Sequence, residues 1–351
     1  MKKFNLNHLL RTNIRNIEPY STARDEYSGT ALVNLDANEN SFGSIGDTKH
    51  NRYPDPYQTE LKTLISGIKN IPIDRMFLGN GSDEAIDLIY RAFCVPGTDN
   101  VITCPPTYGM YKVSAQTQDI QCTEVPLTED FDIDPTRILA AADTHTKCIW
   151  LCSPNNPSGN LLSTNNIEYI LTNFSGIVVI DEAYIDFADS PSWTTRLDEF
   201  PNLIVLQTFS KAWGLANIRL GIMAASPEII SVINAIKLPY NINGIIQDFA
   251  WSHIKKHHKD KDVMVAKILK ERAKLIREIE HIPYIIKIFP TDANFILVKM
   301  KQARKVYNYL IEKGIIVRDR SNIQFCEQTL RITVGTSREN NLLISSLKEF
   351  K

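Results

Sequence analysis

The sequence of 351 residues lacks any long apolar segment. No stretch approaches the roughly 18 apolar residues that a membrane-spanning helix needs. At the N-terminus, polar residues interrupt MKKFNLNHLLR before an apolar core of signal-peptide length can form, among them Asn5, Asn7 and Arg11. We therefore expect a cytoplasmic protein with no membrane partner.

An excess of charge of either sign is also missing. The 39 Lys and Arg residues oppose 40 Asp and Glu residues, and 39 − 40 leaves a formal charge of −1. This balance argues against broad electrostatic binding to nucleic acid. A basic run at residues 253–261 is interpreted as a solvated helix face. With 43% hydrophobic and 23% charged residues, the composition is that of a globular protein, and the length predicts about two domains.

The cysteines form no disulfide framework. All six are scattered along the chain. Cys148 and Cys152 lie in a strand-like run, and no second pair of Cys or His residues matches their spacing. We interpret both as buried thiols rather than metal ligands, so we expect no metal site and a reducing compartment.

Short apolar runs alternate with helix-like segments between residues 70 and 235. Several runs are solidly apolar, as strands covered on both faces should be. Each run is followed by a turn or by a polar cluster. The runs comprise residues 75–78, 100–104, 149–152, 177–180 and 203–206. This pattern predicts a mainly parallel α/β sheet, in which ligands bind beyond the carboxyl ends of the strands.

The pattern changes from about residue 250. A long charged helical stretch passes through residues 271–276 and precedes a strand-like run at 295–298. A helix near 301–313 and a second strand-like run at 330–334 follow. These elements predict a smaller α+β domain at the C-terminal end.

Three polar clusters at predicted strand ends are candidates for chemistry. Ser82 and Asp83 follow a strand and open a helix, so either side chain is a good N-cap, and the free N–H groups there could bind an anion. Simple capping is the alternative. The neighbouring glycines match neither the dinucleotide-binding nor the P-loop spacing. Asp181 directly follows a buried strand and could pair with a cationic ligand nitrogen, or could merely cap a helix.

The third cluster surrounds Lys211. A lysine amine can form a Schiff base with an aldehyde, and Ser210 and Arg219 can hold a phosphate nearby. A phosphate site, a Schiff-base lysine and an Asp for a ring nitrogen together describe a site for pyridoxal 5'-phosphate. Each signal is weak alone, but their order and their positions at strand ends are specific together.

The sequence resembles the class-II family of pyridoxal-phosphate-dependent aminotransferases of fold type I. Within that family it is most similar to the enzymes of histidine biosynthesis that act on histidinol phosphate. The resemblance covers nearly the whole chain, and its distinctive motifs occupy residues 38–40, 51–55, 105–111, 153–159, 181–184 and 210–211. Two departures are Ser158, where Thr is usual, and Trp213, where Phe is commoner.

The resemblance implies a role for each matching residue around the cofactor ring. Lys211 would bind the cofactor aldehyde and later shuttle a proton. Asp181 would keep the pyridine nitrogen protonated. Asn156 and Tyr184 would hydrogen-bond the phenolic oxygen, and Tyr108 would stack on the ring. Lys211, Asp181 and Tyr184 are thus the expected catalytic residues.

The resemblance also implies how the cofactor phosphate is held. The backbone of Ser82 and Asp83 would bind it together with the side chains of Ser210 and Arg219. In this family the residue matching Tyr53 reaches the cofactor of a neighbouring subunit, which implies a homodimer.

The implied reaction transfers the amino group of L-histidinol phosphate to 2-oxoglutarate, giving imidazole acetol phosphate and glutamate. Arg331 matches the arginine that holds an α-carboxylate in related transaminases, and Arg318 matches a second arginine, suited to the extra charge of a phosphate. A planar guanidinium can bind either anion in a bidentate manner. Tyr20 matches the arm residue that closes over the substrate, and Asn38 matches a substrate-binding residue, although a purely structural role is open for both. Arg318 could instead form a surface ion pair with Asp319 or with a neighbouring residue.

The family pattern implies an N-terminal arm over residues 1–28, a large cofactor-binding domain over 29–240 with a mainly parallel seven-stranded sheet, and a small C-terminal domain over 241–351. An aromatic or broad-specificity amino-acid aminotransferase and a threonine-phosphate decarboxylase remain the alternative enzymes. A transcription regulator with an aminotransferase-like domain would need a further DNA-binding domain, for which this length leaves little room.

Overall fold

A seven-stranded β-sheet forms the centre of the chain in a computed structural model, which describes residues 4–22, 29, 32–47 and 49–350. The predicted apolar runs are its strands, because their side chains can be buried on both faces. The strands are β1 (Met76–Asn80), β2 (Asn100–Thr103), β3 (Gln121–Glu124), β4 (Thr146–Cys152), β5 (Ile177–Asp181), β6 (Leu203–Thr208) and β7 (Leu220–Ala224).

The strand order is β1-β7-β6-β5-β4-β2-β3. Strands β3, β2, β4, β5 and β6 run parallel, whereas β7 is antiparallel to both β6 and β1. This confirms the predicted fold class. The apolar runs do not predict β3, because its side chains are exposed or half-buried at the sheet edge. They also do not predict β7, which follows the lysine cluster directly.

Helices connect the strands and cover the sheet. In the described residues they are α1 (Leu6–Leu9), α2 (Thr12–Arg15), α3 (Thr59–Lys69), α4 (Gly81–Phe93), α5 (Met110–Thr117), α6 (Pro135–Ala141), α7 (Thr164–Asn173), α8 (Pro227–Ile236), α9 (Gly244–His257), α10 (Asp260–Ile279), α11 (Ala303–Glu312) and α12 (Ser337–Glu349). Every one of them falls short of the length and apolar character that a bilayer span requires.

The predicted N-cap of the helix after β1 is wrong by two residues. Helix α4 begins at Gly81 and its N-cap is Asn80, so Ser82 and Asp83 lie in the first turn. Glu84 explains the earlier start, because its carboxylate accepts a hydrogen bond from the Asn80 N–H at 2.5 Å and so satisfies a donor at the helix entry.

Side chains of the central strands alternate between the two faces of the sheet, so the hydrophobic core consists of one cluster on each face. In β5, Val178 and Ile180 join one hydrophobic cluster, and Ile177 and Val179 join the cluster on the opposite face. Asp181 ends the same strand and is also buried. The predicted burial of Cys148 and Cys152 is confirmed, and both are free thiols.

A second, four-stranded antiparallel sheet lies near the C-terminal end, in the order β10-β11-β9-β8. Its strands are β8 (Ile285–Ile288), β9 (Phe295–Met300), β10 (Arg318–Asp319) and β11 (Thr329–Thr333). Ile296 and Val298 pack in a core with residues of α10, α11 and α12, whereas Phe295 and Leu297 join a core of the large sheet. One face of the small sheet therefore packs towards the large one. The boundaries near residues 28 and 240 stay predictions, and the predicted N-terminal arm lies partly outside the described residues.

Asp186 links the lysine loop to two helices. Its carboxylate accepts a hydrogen bond from the Trp213 indole N–H at 3.2 Å and forms ion pairs with Lys69 of α3 at 3.3 Å and Lys261 of α10 at 3.4 Å. Both ammonium groups also lie within 6 Å of the Trp213 ring centroid, at 5.4 Å and 5.7 Å. Trp213 departs from the family pattern. A Phe at this position could keep the contacts with the ammonium groups but not the indole hydrogen bond to Asp186.

Replacing Asp186 with Ala should lower the free energy of unfolding by about 2 kcal/mol, because it leaves the Lys69 ammonium group and the Trp213 indole N–H without their acceptor and leaves Lys261 with Asp262 alone. Urea denaturation measures this loss. Asp198→Ala is the matched control, since Asp198 pairs with Arg75 but its side chain is 82% exposed, and its loss should stay within about 1 kcal/mol. Equal losses in the two variants would contradict the role of the Asp186 cluster.

Candidate active site

Side chains from several strand ends meet beyond the carboxyl edge of the large sheet. Asp181 ends β5, Lys211 follows β6, and Asn156 follows β4. Since β4, β5 and β6 are parallel neighbours, their carboxyl ends lie side by side. The fold therefore brings together residues that are far apart in the sequence.

Asp181 is a deeply buried carboxylate, with 3% of its surface exposed. Its Oδ2 accepts a hydrogen bond from the Tyr111 hydroxyl at 2.6 Å, and its Oδ1 accepts one from the Ala183 N–H at 3.1 Å. Burial raises the pKa of Asp181, and these two donors oppose that rise. A cation placed against this carboxylate would stabilise its charged form.

Lys211 is accessible to solvent in the single chain. Its Nζ is 5.6 Å from the ring centroid of Tyr184, and it has no hydrogen-bond or ion-pair partner among the described residues. Removal of water by the surrounding protein lowers the pKa of Lys211, and the positive charge of Arg331 lowers it further. A larger fraction of this amine is consequently neutral at a given pH than for an ordinary lysine.

An anion cradle lies at the start of α4. The Arg219 guanidinium contacts Asp83 Oδ2 at 3.1 Å and Ser210 Oγ at 3.4 Å. Asp83 also accepts a hydrogen bond from the Tyr108 hydroxyl at 3.1 Å. First-turn N–H groups, here including that of Ser82, have no carbonyl acceptor within their own helix. Together with the guanidinium of Arg219 and the hydroxyl of Ser210, they are the kind of donors that a phosphate requires.

Two glycines make the cradle possible. Gly81 has a φ of 71°, and a Cβ there would lie 2.5 Å from Arg219 Nη2. On β7, a Cβ at Gly221 would lie 2.3 Å from the carbonyl carbon of Gly81 and 2.4 Å from the Ser82 nitrogen. The backbone of β7 thus passes directly beneath the helix start, and only glycine fits at that crossing.

The opposite side of the pocket is built around Arg331. Its Nη1 donates a hydrogen bond to Asn156 Oδ1 at 2.5 Å, and its guanidinium lies 5.2 Å from the ring centroid of Phe295. Tyr184 packs edge-on against the same ring at 5.1 Å. Burial raises the pKa of the Tyr184 hydroxyl, whereas the nearby Arg331 lowers it. Arg331, Asn156 and Tyr184 therefore form one contiguous wall.

Arg318 is the direct cross-strand neighbour of Arg331, so the structure brings this predicted pair together. Tyr20, Asn38 and Tyr53, in contrast, are exposed to solvent in the single chain. Tyr20 is 74% exposed, and Tyr53 is 52% exposed and stacks on Tyr240 with a centroid distance of 4.6 Å.

Tyr53 and Asn38 line a cavity of about 1100 Å³, and Lys211, Asp181 and Arg219 are absent from its lining. Among the described residues, Tyr20 forms no hydrogen bond, ion pair or ring contact with Lys211, Asp181 or Arg219. Within one chain, the three residues are therefore not assembled with the rest of the predicted site.

One further residue beside Asp181 has no assigned role in the sequence analysis. Tyr111 lies in the motif at 105–111, but only its hydrogen bond to Asp181 reveals its position against this carboxylate.

A buried carboxylate, a lysine with a lowered pKa and a glycine-lined anion cradle at the strand ends define a pyridoxal-phosphate-dependent transferase of fold type I. The chain belongs to the aminotransferase class I and II family, whose model matches residues 30–347.

Relatives support this assignment over nearly the full length. The chain is 53% identical to the histidinol-phosphate aminotransferase of Cytophaga hutchinsonii over 99% of both chains, and 51% identical to that of Parabacteroides distasonis over 99% of both. Among solved structures, the histidinol-phosphate aminotransferase from Clostridium acetobutylicum superposes with a TM-score of 0.77 at 25% identity, covering 85% of this chain and 90% of that one.

Replacing Gly221 with Ala should weaken binding of pyridoxal phosphate at least ~10-fold, because the added methyl group displaces the backbone of Gly81 and Ser82. Titrating cofactor-free protein and following cofactor absorbance measures the dissociation constant. Gly67→Ala is the control, since a Cβ at Gly67 meets nothing within 4 Å. Unchanged affinity in the Gly221 variant would show that the cradle does not bind the cofactor.

The lowered pKa of Lys211 predicts the pH dependence of its reactivity. Only the neutral amine reacts with an amine-specific reagent, so in cofactor-free protein Lys211 should be labelled with a midpoint below the ordinary value of 10.5. Lys112 is the internal control, because its hydrogen bond to Glu124 raises its pKa. Arg331→Gln should move the Lys211 midpoint upward. Peptide mass spectrometry reads both sites, and coincident midpoints would contradict the prediction.

Proposed function

We propose that this chain is a histidinol-phosphate aminotransferase that uses pyridoxal phosphate to transfer the amino group of L-histidinol phosphate to 2-oxoglutarate. Its products are imidazole acetol phosphate and glutamate. The observation that carries the proposal is that the charges of Arg331 and Arg219 both act on the Lys211 amine, while Arg219 contacts Ser210 and Arg331 contacts Asn156. The names of relatives at about half identity support the same reaction.

The residues around Lys211 fit the cofactor on the observations above. Arg219, Ser210 and the first-turn N–H groups of Ser82 and Asp83 would hold its phosphate. Asp181 would hold the protonated ring nitrogen, since a buried carboxylate needs a cationic partner. When bound, the cofactor supplies an electron sink that acidifies the C–H bond beside the substrate amine.

The remaining ring contacts come from three side chains. Asn156 and Tyr184, which lie on the wall with Arg331, would donate hydrogen bonds to the phenolic oxygen. For this role the Asn156 amide nitrogen must face the ring, which agrees with its Oδ1 accepting from Arg331. Tyr108 would stack on the ring, and its hydroxyl is already fixed by Asp83 at 3.1 Å.

Lys211 moves the proton. Its Nζ takes the proton from the amine-bearing carbon of the substrate and donates a proton again later in the same amino transfer. A base works best when its pKa is close to the working pH, and burial beside Arg331 lowers the pKa of Lys211 in that direction. The amine has no competing partner among the described residues that would hold it away from the substrate.

Arg331 and Arg318 bind the anionic group of each substrate in turn. The phosphate of histidinol phosphate and a carboxylate of 2-oxoglutarate both match the geometry of a planar guanidinium. Asn156 fixes one side of Arg331, and this leaves its other donors for the ligand. Tyr20 is proposed to close over the bound substrate, and Asn38 is proposed to contact it.

A homodimer completes the proposed site. The half-exposed ring of Tyr53 lies on a large cavity away from Lys211 of its own chain, as expected of a residue that serves the cofactor of a partner subunit. The proposal keeps residues 1–28 as an arm, 29–240 as the cofactor-binding domain and 241–351 as the small domain, and it places the enzyme in the cytoplasm.

A substrate panel tests the reaction. In the absence of a 2-oxo acid, L-histidinol phosphate should convert the bound cofactor to its aminated form with loss of visible absorbance, and 2-oxoglutarate should restore it. Phenylalanine and tyrosine should react at least ~10-fold less efficiently, because they carry no phosphate for Arg331 and Arg318 to bind. Threonine phosphate does carry a phosphate, so the readout for it is carbon dioxide, which should not be released.

Lys211→Ala is the control, since it keeps both anion sites but removes the proton carrier and should show no turnover. Preferred reaction with phenylalanine would favour the broad-specificity alternative. Release of carbon dioxide from threonine phosphate would favour the decarboxylase. Steady-state turnover by the Lys211 variant would refute the assignment of its role.

A further inference from the structure

The small sheet presents three arginines on the face that carries Arg331. Arg318 pairs with Arg331 and Asp319 pairs with Leu330 across β10 and β11. The ladder continues, because the Arg320 N–H donates to the Thr329 carbonyl at 3.0 Å. Side chains alternate between the two faces of a strand, so Arg320 shares the face of Arg318 and Arg331.

Asp319 confirms the alternation. Its carboxylate lies on the opposite face, where Arg304 of α11 donates to Oδ2 at 2.8 Å. The acidic neighbour of Arg318 and Arg320 is therefore occupied elsewhere. This overturns the simple alternative of an ion pair between Arg318 and Asp319.

The three guanidinium groups carry positive charge that the described residues do not neutralise. No carboxylate among these residues forms an ion pair with Arg318, Arg320 or Arg331. The Nε atoms of Arg320 and Arg331 are both buried without an acceptor. Burial and the charge of the neighbouring arginines lower the pKa of Arg320. Buried N–H donors without an acceptor are costly, and beside uncompensated positive charge they mark a place where an anion is expected.

The cluster points into the pocket of the proposed reaction. Arg331 contacts Asn156 and shares the Phe295 ring with Tyr184. The charges of both Arg331 and Arg320 act on the buried Tyr184 hydroxyl. Arg320 thus lies on the substrate side of the site rather than at its outer surface.

We infer that Arg320 is a third arginine of the substrate anion site and that it selects a phosphate over a carboxylate. This inference rests on the proposed function. A phosphate ester carries a charge of about −1.5 to −2 at neutral pH and offers three acceptor oxygens, whereas a carboxylate carries one negative charge and two oxygens. Arg331 and Arg318 match a carboxylate, and Arg320 supplies the additional charge and donors that only a phosphate can use.

The test compares Arg320→Gln with Arg304→Gln, which removes a guanidinium from the other face of the same strand pair. Calorimetry of the holoenzyme with inorganic phosphate should show a dissociation constant at least ~10-fold higher for Arg320→Gln and within ~3-fold of the parent for Arg304→Gln. The half-reaction with histidinol phosphate should lose ~10- to 100-fold in kcat/KM, while the half-reaction with glutamate changes by less than ~3-fold.

Equal losses with histidinol phosphate and glutamate, or unchanged phosphate binding, would overturn the role of Arg320 as a phosphate selector. Arg320→Lys keeps the charge but not the forked donors, so it should recover part of the phosphate affinity. The Lys variant also replaces Arg320→Gln in the test if the Gln variant fails to fold. If the parent enzyme does not react with histidinol phosphate, the proposed function fails. Phosphate binding still tests the inference in that case.

Discussion

The burial of one carboxylate is the constraint on which the rest of this structure depends. Asp181 ends a strand whose side chains are all buried, and a charge in that position is unstable unless it is compensated. Tyr111 and the backbone of Ala183 provide two hydrogen bonds. A sheet covered on both faces is what buries the carboxylate, and parallel neighbours bring Lys211 and Asn156 to the same edge. The fold thus creates a need for a cationic ligand atom and places the reactive amine beside it.

The distribution of charge explains how a nearly neutral chain handles strongly anionic molecules. The formal charge of −1 describes the whole surface and carries no information about a pocket. In the proposed site, Lys211 and Arg219 serve the cofactor and Arg331 serves the substrate, and the charges of both arginines act on Lys211. These cations are brought together by strand ends and by a cross-strand pair, and long-range attraction plays no part. Selectivity therefore comes from desolvated local contacts rather than from a basic surface.

Much of the site was predictable because strand ends leave a pattern in the sequence. Apolar runs followed by polar clusters identified Asp181 and Lys211, and the family motifs supplied Asn156, Tyr184 and Arg331. The edge strand β3 was missed because its half-buried side chains do not form an apolar run.

Other features depend on contacts that no local pattern records. The start of α4 is set by Glu84, and the partner of Asp181 is a tyrosine 70 residues away in the sequence. Tyr53 and Asn38 line a cavity apart from Lys211, so a single chain cannot reveal their purpose.

Arg320 shows how a short strand can add specificity without adding a motif. In the sequence 317–320, the two arginines are separated by an aspartate, and composition alone suggests that their charges cancel in part. Pairing of β10 with β11 separates them instead, since Asp319 turns to Arg304 while both arginines remain with Arg331. In a helix or a loop, the same Arg-Asp-Arg sequence would be interpreted as a surface on which the aspartate partly neutralises the arginines. Only the two-residue period of the strand concentrates the positive charge on one face, and that face is the one that meets the substrate.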